Sequence, residues 1–223
     1  MRHFFESSIG RKMTVAVTGL VLFVFVIFHM LGNLQIFLGP DALNDYARHL
    51  DETPFLLWPA RVFLLCALLI HISLSLKLAN ENRKARPVRY VYEDTVQASR
   101  ASRTMVITGL LVFFFIVYHL LHFTFGVTNP EFSHGVDSKG REDVYSMVVF
   151  SFQNGWISGT YILAMFFLYL HLSHGAASVF QTLGFSESSR VRKTAERFGG
   201  WAALLIFIGN SLIPLAVLLG KLK

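Results

Sequence analysis

Residues 17–37 read VTGLVLFVFVIFHMLGNLQIF, an apolar run with one ionisable side chain in its depth, His29. Ninety residues later the run returns as 107–127, ITGLLVFFFIVYHLLHFTFGV. Thr18-Gly19-Leu20 matches Thr108-Gly109-Leu110. Phe23, Phe25 and Leu31 match Phe113, Phe115 and Leu121, and His29 falls on His119. A lipid-facing helix accepts almost any mixture of Leu, Val, Ile and Phe. An imidazole at that depth is costly without a partner, so a histidine that recurs at one spacing from a Thr-Gly pair carries information.

Working outward, the 223 residues are 53% hydrophobic and 15% charged, with the charge gathered outside long apolar runs. Five runs are long enough to span a bilayer, at about 13–38, 56–79, 104–126, 155–182 and 199–220. No alternation-and-turn pattern of a β-barrel appears. The expected fold is therefore an all-α integral membrane protein, one domain over residues 1–223, built as a bundle of five transmembrane helices. The single cysteine, Cys66, lies inside the second span, which excludes an internal disulfide and a cysteine-ligated iron–sulfur cluster.

The net charge of +6 is explained by topology and gives no sign of nucleic acid. Three Lys and Arg fall in residues 1–12, seven from Lys77 to Arg103 and four from Arg190 to Arg197. Only Arg48, Lys139, Arg141, Lys221 and Lys223 fall on the opposite side. This bias predicts a cytoplasmic amino terminus. Residues 1–12 read as a basic segment lying at the inner interface, and 41–53 as a short outer helix ending before Pro54. Residues 127–150 read as a long outer segment of turn chemistry. The fifth span, without histidine, reads as a flanking helix. The small-residue patch from Ser173 to Ser178 allows close helix approach or room for a flat ligand.

Six of the nine histidines lie inside spans: His29, His71, His119, His122, His171 and His174. His3, His49 and His134 lie outside. The second and fourth spans share an echo at an offset of one hundred, His71-Ile72-Ser73 against His171-Leu172-Ser173. His122 and His174 have no counterpart in the other copy, so they are secondary candidates. At about 1.5 Å per residue, His29 and His119 lie roughly 25 Å from the inner surface. His71 and His171 lie as far from the outer surface. The expectation is two bis-histidine sites, His29/His119 toward the outer side and His71/His171 toward the inner. Two imidazoles at one level suit the axial positions of a haem iron, whereas zinc wants four ligands. Gly19 and Gly109 each lie roughly 15 Å inward of their own histidine, near the level of the other site, where a missing side chain leaves space for a second porphyrin. Arg61, one turn inside the second span, either snorkels outward or binds a haem propionate. For a quinone, the candidates are Asn33, His49 and Glu52 on the outer side, with an inner location near Ser8 and Arg11 as the competitor.

With these marks the sequence resembles the di-haem cytochrome b subunit of bacterial succinate dehydrogenase/fumarate reductase, the single-anchor type with five spans. The marks are Ser8-Ile9-Gly10-Arg11-Lys12, Thr18-Gly19 with His29, and Gly32-Asn33-Leu34. Gly39-Pro40 with Leu43-Asn44-x-Tyr46-Ala47, Thr108-Gly109 with Tyr118-His119, and His171-x-Ser173-His174-Gly175 complete them. The resemblance implies axial histidines at His29, His71, His119 and His171, holding two haems b. It implies a flavoprotein and an iron–sulfur protein as partners on the cytoplasmic face. It also implies a membrane quinone as electron partner, menaquinone favoured, location in the bacterial cytoplasmic membrane, and room for a higher oligomer of the complex. Some fumarate-reducing relatives carry a glutamate two residues before the fourth ligand; here that position is Tyr169. The alternatives are a di-haem anchor of another quinone-linked respiratory complex, a metal-bridged hydroxylase built on His119/His122 and His171/His174, and a non-redox bundle.

Overall fold

A computed structural model of the chain describes residues 7–85, 103–133, 135–184 and 188–223. Helix α1, Ser8–Asn33, is capped by the Ser7 hydroxyl, which accepts from the Gly10 N–H. A 3-10 turn, Leu34–Leu38, tightens its end and stops at Gly39, whose φ of 102° is open to glycine. Pro40 then starts α2, Pro40–Asp51, in the first-turn position where its missing N–H is harmless. Next come α3, Pro54–Lys84, and α4, Met105–His119, which runs into a π turn at Leu120–Thr124. Helix α5 is Val144–Gln153, α6 is Gly155–Thr182 and α7 is Ser189–Leu218. Five of these segments are long and apolar enough to cross a membrane: α1 with its 3-10 end, α3, α4 with its π turn, α6 and α7. No β-strand forms among the described residues.

Four of the five spans close a ring. Helix α1 packs on α3, α3 on α4, α4 on α6, and α6 back on α1. Helices α1 and α4 therefore face each other across one diagonal, and α3 and α6 across the other. Helix α7 lies outside the ring, chiefly against α6, as a flanking helix does. It is nevertheless well packed, with Ala203, Ile206, Ile213 and Val217 buried. A Cβ at Gly199 would lie 3.0 Å from the Ala176 Cβ and 3.3 Å from the Ala177 N. The patch from Ser173 to Ser178 thus serves close helix approach. Large apolar side chains such as Phe28, Phe114 and Leu205 point outward, as lipid permits.

Several boundaries differ from the sequence reading. The first span begins at Ser8, so residues 8–12 continue the helix; residues 1–6 lie outside the described residues, as do 86–102 and His134. The second span runs on to Lys84, and the fifth begins ten residues early because its polar first turns are helical too. The end of the 127–150 segment enters α5, whose start is capped by Asp143 accepting from the Ser146 N–H. Helix α5 packs with α2 and α7 over the end of the bundle away from Ser8. Ile36, Leu43, Tyr145, Val149, Phe152, Tyr161, Ile213 and Val217 make a core there.

A polar clasp locks this cap. Asn44 of α2, 1% exposed, donates to Asp137 and Asp143 and accepts from the Tyr145 N–H at 2.9 Å. Arg141, 6% exposed, pairs with Asp41, Asp45 and Asp137 at 2.6 to 2.8 Å. Its guanidinium hydrogen bond holds the Asp137 carboxyl well below the usual carboxylate range. Hydrogen bonds from Lys139 and Arg141 hold Asp41 below that range too.

Candidate functional site: two histidine pairs

The ring of four helices brings the four repeated histidines together in twos, each pair across a diagonal. His29 of α1 meets His119 of α4 with ring centres 5.7 Å apart and planes at 88°. His71 of α3 meets His171 of α6 at 6.5 Å and 75°. An imidazole nitrogen sits about 2 Å from a metal it ligates, so two rings on opposite sides of one iron put their centres roughly 6 Å apart. Both separations fit that requirement. Among the described residues no group of three or more His, Cys, Asp or Glu side chains converges as a metal site, so each pair is a two-donor site. A porphyrin, which supplies the other four ligands itself, is the group such a donor set suits.

Neighbouring groups fix the rings at the level of His71 and His171. The His71 Nδ1–H donates to the Val15 carbonyl at 3.1 Å, with the Thr18 hydroxyl 3.3 Å away. The Thr18 proton is committed to the Thr14 carbonyl, so its oxygen is free to accept. In the second copy the Thr108 hydroxyl lies 3.5 Å from the His171 Nδ1, and its proton is likewise committed, to the Thr104 carbonyl at 3.0 Å. An acceptor at Nδ1 leaves Nε2 unprotonated, which is the form that ligates iron.

The glycines belong to this level. A Cβ at Gly19 would lie 3.0 Å from the His71 Cε1, and one at Gly109 would lie 3.1 Å from the His171 Cε1. Each glycine thus serves the level opposite its own helix's histidine, as their spacing predicts. The side chain that uses the space is the imidazole of the adjacent helix.

The level of His29 and His119 is built differently. Asn33 Nδ2 donates to the His29 Nε2 at 3.1 Å, so Nε2 carries the lone pair. His119 Nδ1 lies 3.4 Å from the Tyr161 hydroxyl. The same hydroxyl lies 2.9 Å from the Nδ1 of His122, whose Nε2 is 3.2 Å from the Ser151 hydroxyl. His122 is 1% exposed and both its nitrogens are engaged, so it is a supporting residue. His174 makes no hydrogen bond or ring contact with either pair among the described residues.

The other predicted residues are spread out. Arg61 lies over the Trp58 ring, 5.3 Å from its centre, at an exposed edge; this is the arrangement that snorkelling gives. His49 is exposed in the last turn of α2, and Glu52 just beyond it pairs with Arg48 at 3.7 Å. No hydrogen bond or ion pair joins their side chains to Asn33 or Arg61 among the described residues. Tyr169 turns toward Phe207 of α7, ring centres 6.2 Å apart. At the other end of the bundle Arg11 is tied to Glu81 at 2.9 Å. Tyr161 and Ser151 were not singled out from the sequence. A hydroxyl-bearing aromatic inside an apolar span was the available signal, since a buried phenol needs a partner.

A family model described as the succinate dehydrogenase/fumarate reductase transmembrane subunit matches residues 79–209. The chain belongs to that family. No curated protein and no solved structure matches it. As a succinate dehydrogenase/fumarate reductase transmembrane subunit, it is a multi-pass membrane anchor that associates with the other subunits of that complex. The match takes in His119 and His171. His29 and His71 precede it and are tied to it by the repeat and the diagonal pairing.

Proposed function

We propose that this subunit holds two haems b, one on His29 and His119 and one on His71 and His171, and carries electrons between the iron–sulfur subunit and a membrane quinone. The observation that carries this reading is the pairing of four repeated histidines across both diagonals, at separations suited to one iron each. A haem held by two of these histidines would supply one-electron transfer rather than oxygen chemistry. The rest is done by the chain. The Val15 carbonyl holds the His71 imidazole in the ligating tautomer, the Thr108 oxygen is placed to do the same for His171, and Gly19 and Gly109 let both rings approach. The lone pair on the His29 Nε2 can serve Asn33 or a metal but not both, so a haem held by His29 would leave the Asn33 amide free beside the site.

The charge bias supports a cytoplasmic position for Ser8 and the His71/His171 pair, which in our reading face the flavoprotein and iron–sulfur subunits across the inner face of a bacterial cytoplasmic membrane. His29/His119 and the α2–α5 cap then face outward. With its amide freed by ligation at His29, Asn33 joins the exposed His49 and Glu52 in the proposal of a quinone site, for menaquinone, at the outer edge. The test uses the purified complex. Succinate is expected to reduce two haems per copy of this chain, and a menaquinone analogue to reoxidise both. Haem that succinate cannot reduce, or a chain without haem, would overturn the reading.

A further inference from the structure

At the end of the bundle near Ser8, a crevice of about 250 Å³ separates α6 from α7. It is lined by Tyr169 of α6 and by Arg197, Gly200, Trp201 and Leu204 of α7. The four α7 residues recur at helical spacing, so they share one face. Gly199 and Gly200 divide the work there. A Cβ at Gly199 would press on Ala176, whereas a Cβ at Gly200 would meet nothing within 4 Å. The first glycine serves packing and the second opens the crevice. Toward the middle of the membrane the Phe166, Tyr169 and Phe207 rings wall the seam, with centres 6.2 to 6.5 Å apart. Trp201, Leu205, Ile208 and Leu212 expose an apolar track along α7 beside it.

Arg197 is the one charged group lining the crevice. Among the described residues it has no ion-pair or hydrogen-bond partner, whereas Arg192 pairs with Glu196 at 3.9 Å. A guanidinium is always charged, and its fork of donors matches a phosphate. Basic pockets between spans on the cytoplasmic side take anionic lipid headgroups, and Trp and Tyr rings favour that level of the bilayer. The volume falls below the roughly 300 to 1,000 Å³ that encloses a whole small molecule, so it suits a headgroup whose tails leave along the helices. No carboxylate lines the crevice to receive the ammonium of a zwitterionic headgroup. A quinone is neutral, and no carboxylate or imidazole stands there to supply its proton.

We infer that the α6–α7 crevice binds one anionic phospholipid of the cytoplasmic leaflet, with its phosphate on Arg197 and its tails on the apolar track beyond Gly200. The site goes beyond the electron-transfer reading and does not depend on haem.

The test uses the purified complex, stripped of lipid and titrated with phosphatidylglycerol, with retained lipid counted by native mass spectrometry. Wild type is expected to retain one more phosphatidylglycerol per copy of this chain than Arg197→Gln, which should bind that lipid about 10-fold more weakly. Gly200→Leu fills the crevice and should also lose it. Arg192→Gln removes the same charge from another face of α7 and should match wild type. Assembly of the complex, read in the same spectra, reports that each variant folds; if Arg197→Gln fails to assemble, Gly200→Leu decides. Unchanged retention in Arg197→Gln, or an equal loss in Arg192→Gln, would overturn the inference. Wild-type retention in Gly200→Leu would place the phosphate outside the crevice and overturn it too. Equal retention of phosphatidylcholine would contradict the preference for an anionic headgroup. Displacement of the lipid by a menaquinone analogue would assign the crevice to quinone instead.

Discussion

Gly19 and Gly109 are single residues whose effect crosses from one level of the bundle to the other. Alanine at Gly19 gains helix propensity of about 1 kcal/mol but places its Cβ 3.0 Å from the His71 Cε1. Valine adds two methyls there and forfeits part of that gain, so overpacking, at about 1 to 3 kcal/mol, wins. Gly19→Val is therefore expected to disturb the haem on His71 and His171 while sparing the one on His29, its own helix's histidine. Haem counting by difference spectroscopy checks this; loss confined to the His29/His119 haem would contradict it. The four histidines were legible because a repeat singles out positions that lipid-facing composition leaves free. Asn44, Tyr161 and the carbonyl of Val15 were not legible as partners. Their roles depend on which neighbour the fold brings up, and a backbone carbonyl leaves no mark in a sequence.

At the scale of elements, the cap of α2 and α5 is held by buried polar groups more than by apolar contact alone. Asn44→Ala leaves the Tyr145 N–H without its acceptor, a loss of about 1 to 3 kcal/mol for a buried donor. Faster proteolysis between residues 127 and 143, with both histidine pairs intact, is the expected result. The clasp also has a pH dependence with a definite sign. Asp41 and Asp137 have carboxyls lowered by Lys139 and Arg141, so their contribution is complete above the unfolded value of about 3.9 and is lost as pH falls through the lowered folded values. Opening of α2, measured as hydrogen exchange relative to the intrinsic rate at each pH, should be level from pH 8 to pH 5 and rise only below about pH 4. A rise already at pH 6 would mean that another group governs the cap. Helix α5 escaped the sequence reading because ten mostly apolar residues between turn signals are too few to span and sit among loop chemistry. The early start of α7 escaped because Arg190 to Arg197 is polar, and polarity marked it as loop while its helical form shows only in the fold. The five spans themselves were legible, since lipid demands length and apolarity that nothing else in the chain supplies.

For the whole molecule, the asymmetry of charge and the asymmetry of structure agree. The basic face at Ser8 and Lys84 is the side proposed to meet the iron–sulfur subunit, and the clasped cap closes the other. Lys84, exposed in the last turn of α3, should crosslink to the iron–sulfur subunit in the intact complex, whereas Lys139 should not. The reverse pattern would invert the topology. Electrons entering near His71/His171 and leaving at an outer quinone site would cross much of the bilayer, at about 2.3 kcal/mol per charge for each 100 mV. Quinone turnover in sealed vesicles should accordingly depend on membrane potential, and independence would favour a site on the inner face.

Everything proposed about electron transfer depends on how the four histidines divide into pairs. The most direct measurement is the reduced-minus-oxidised spectrum, with haem counted per chain, of the wild type and four single variants, His29→Ala, His71→Ala, His119→Ala and His171→Ala. The wild type is expected to hold two haems. His71→Ala and His171→Ala should lose the same one, and His29→Ala and His119→Ala the other. Loss of one common haem from His29→Ala and His71→Ala, or four variants that all keep two, would contradict the diagonal pairing.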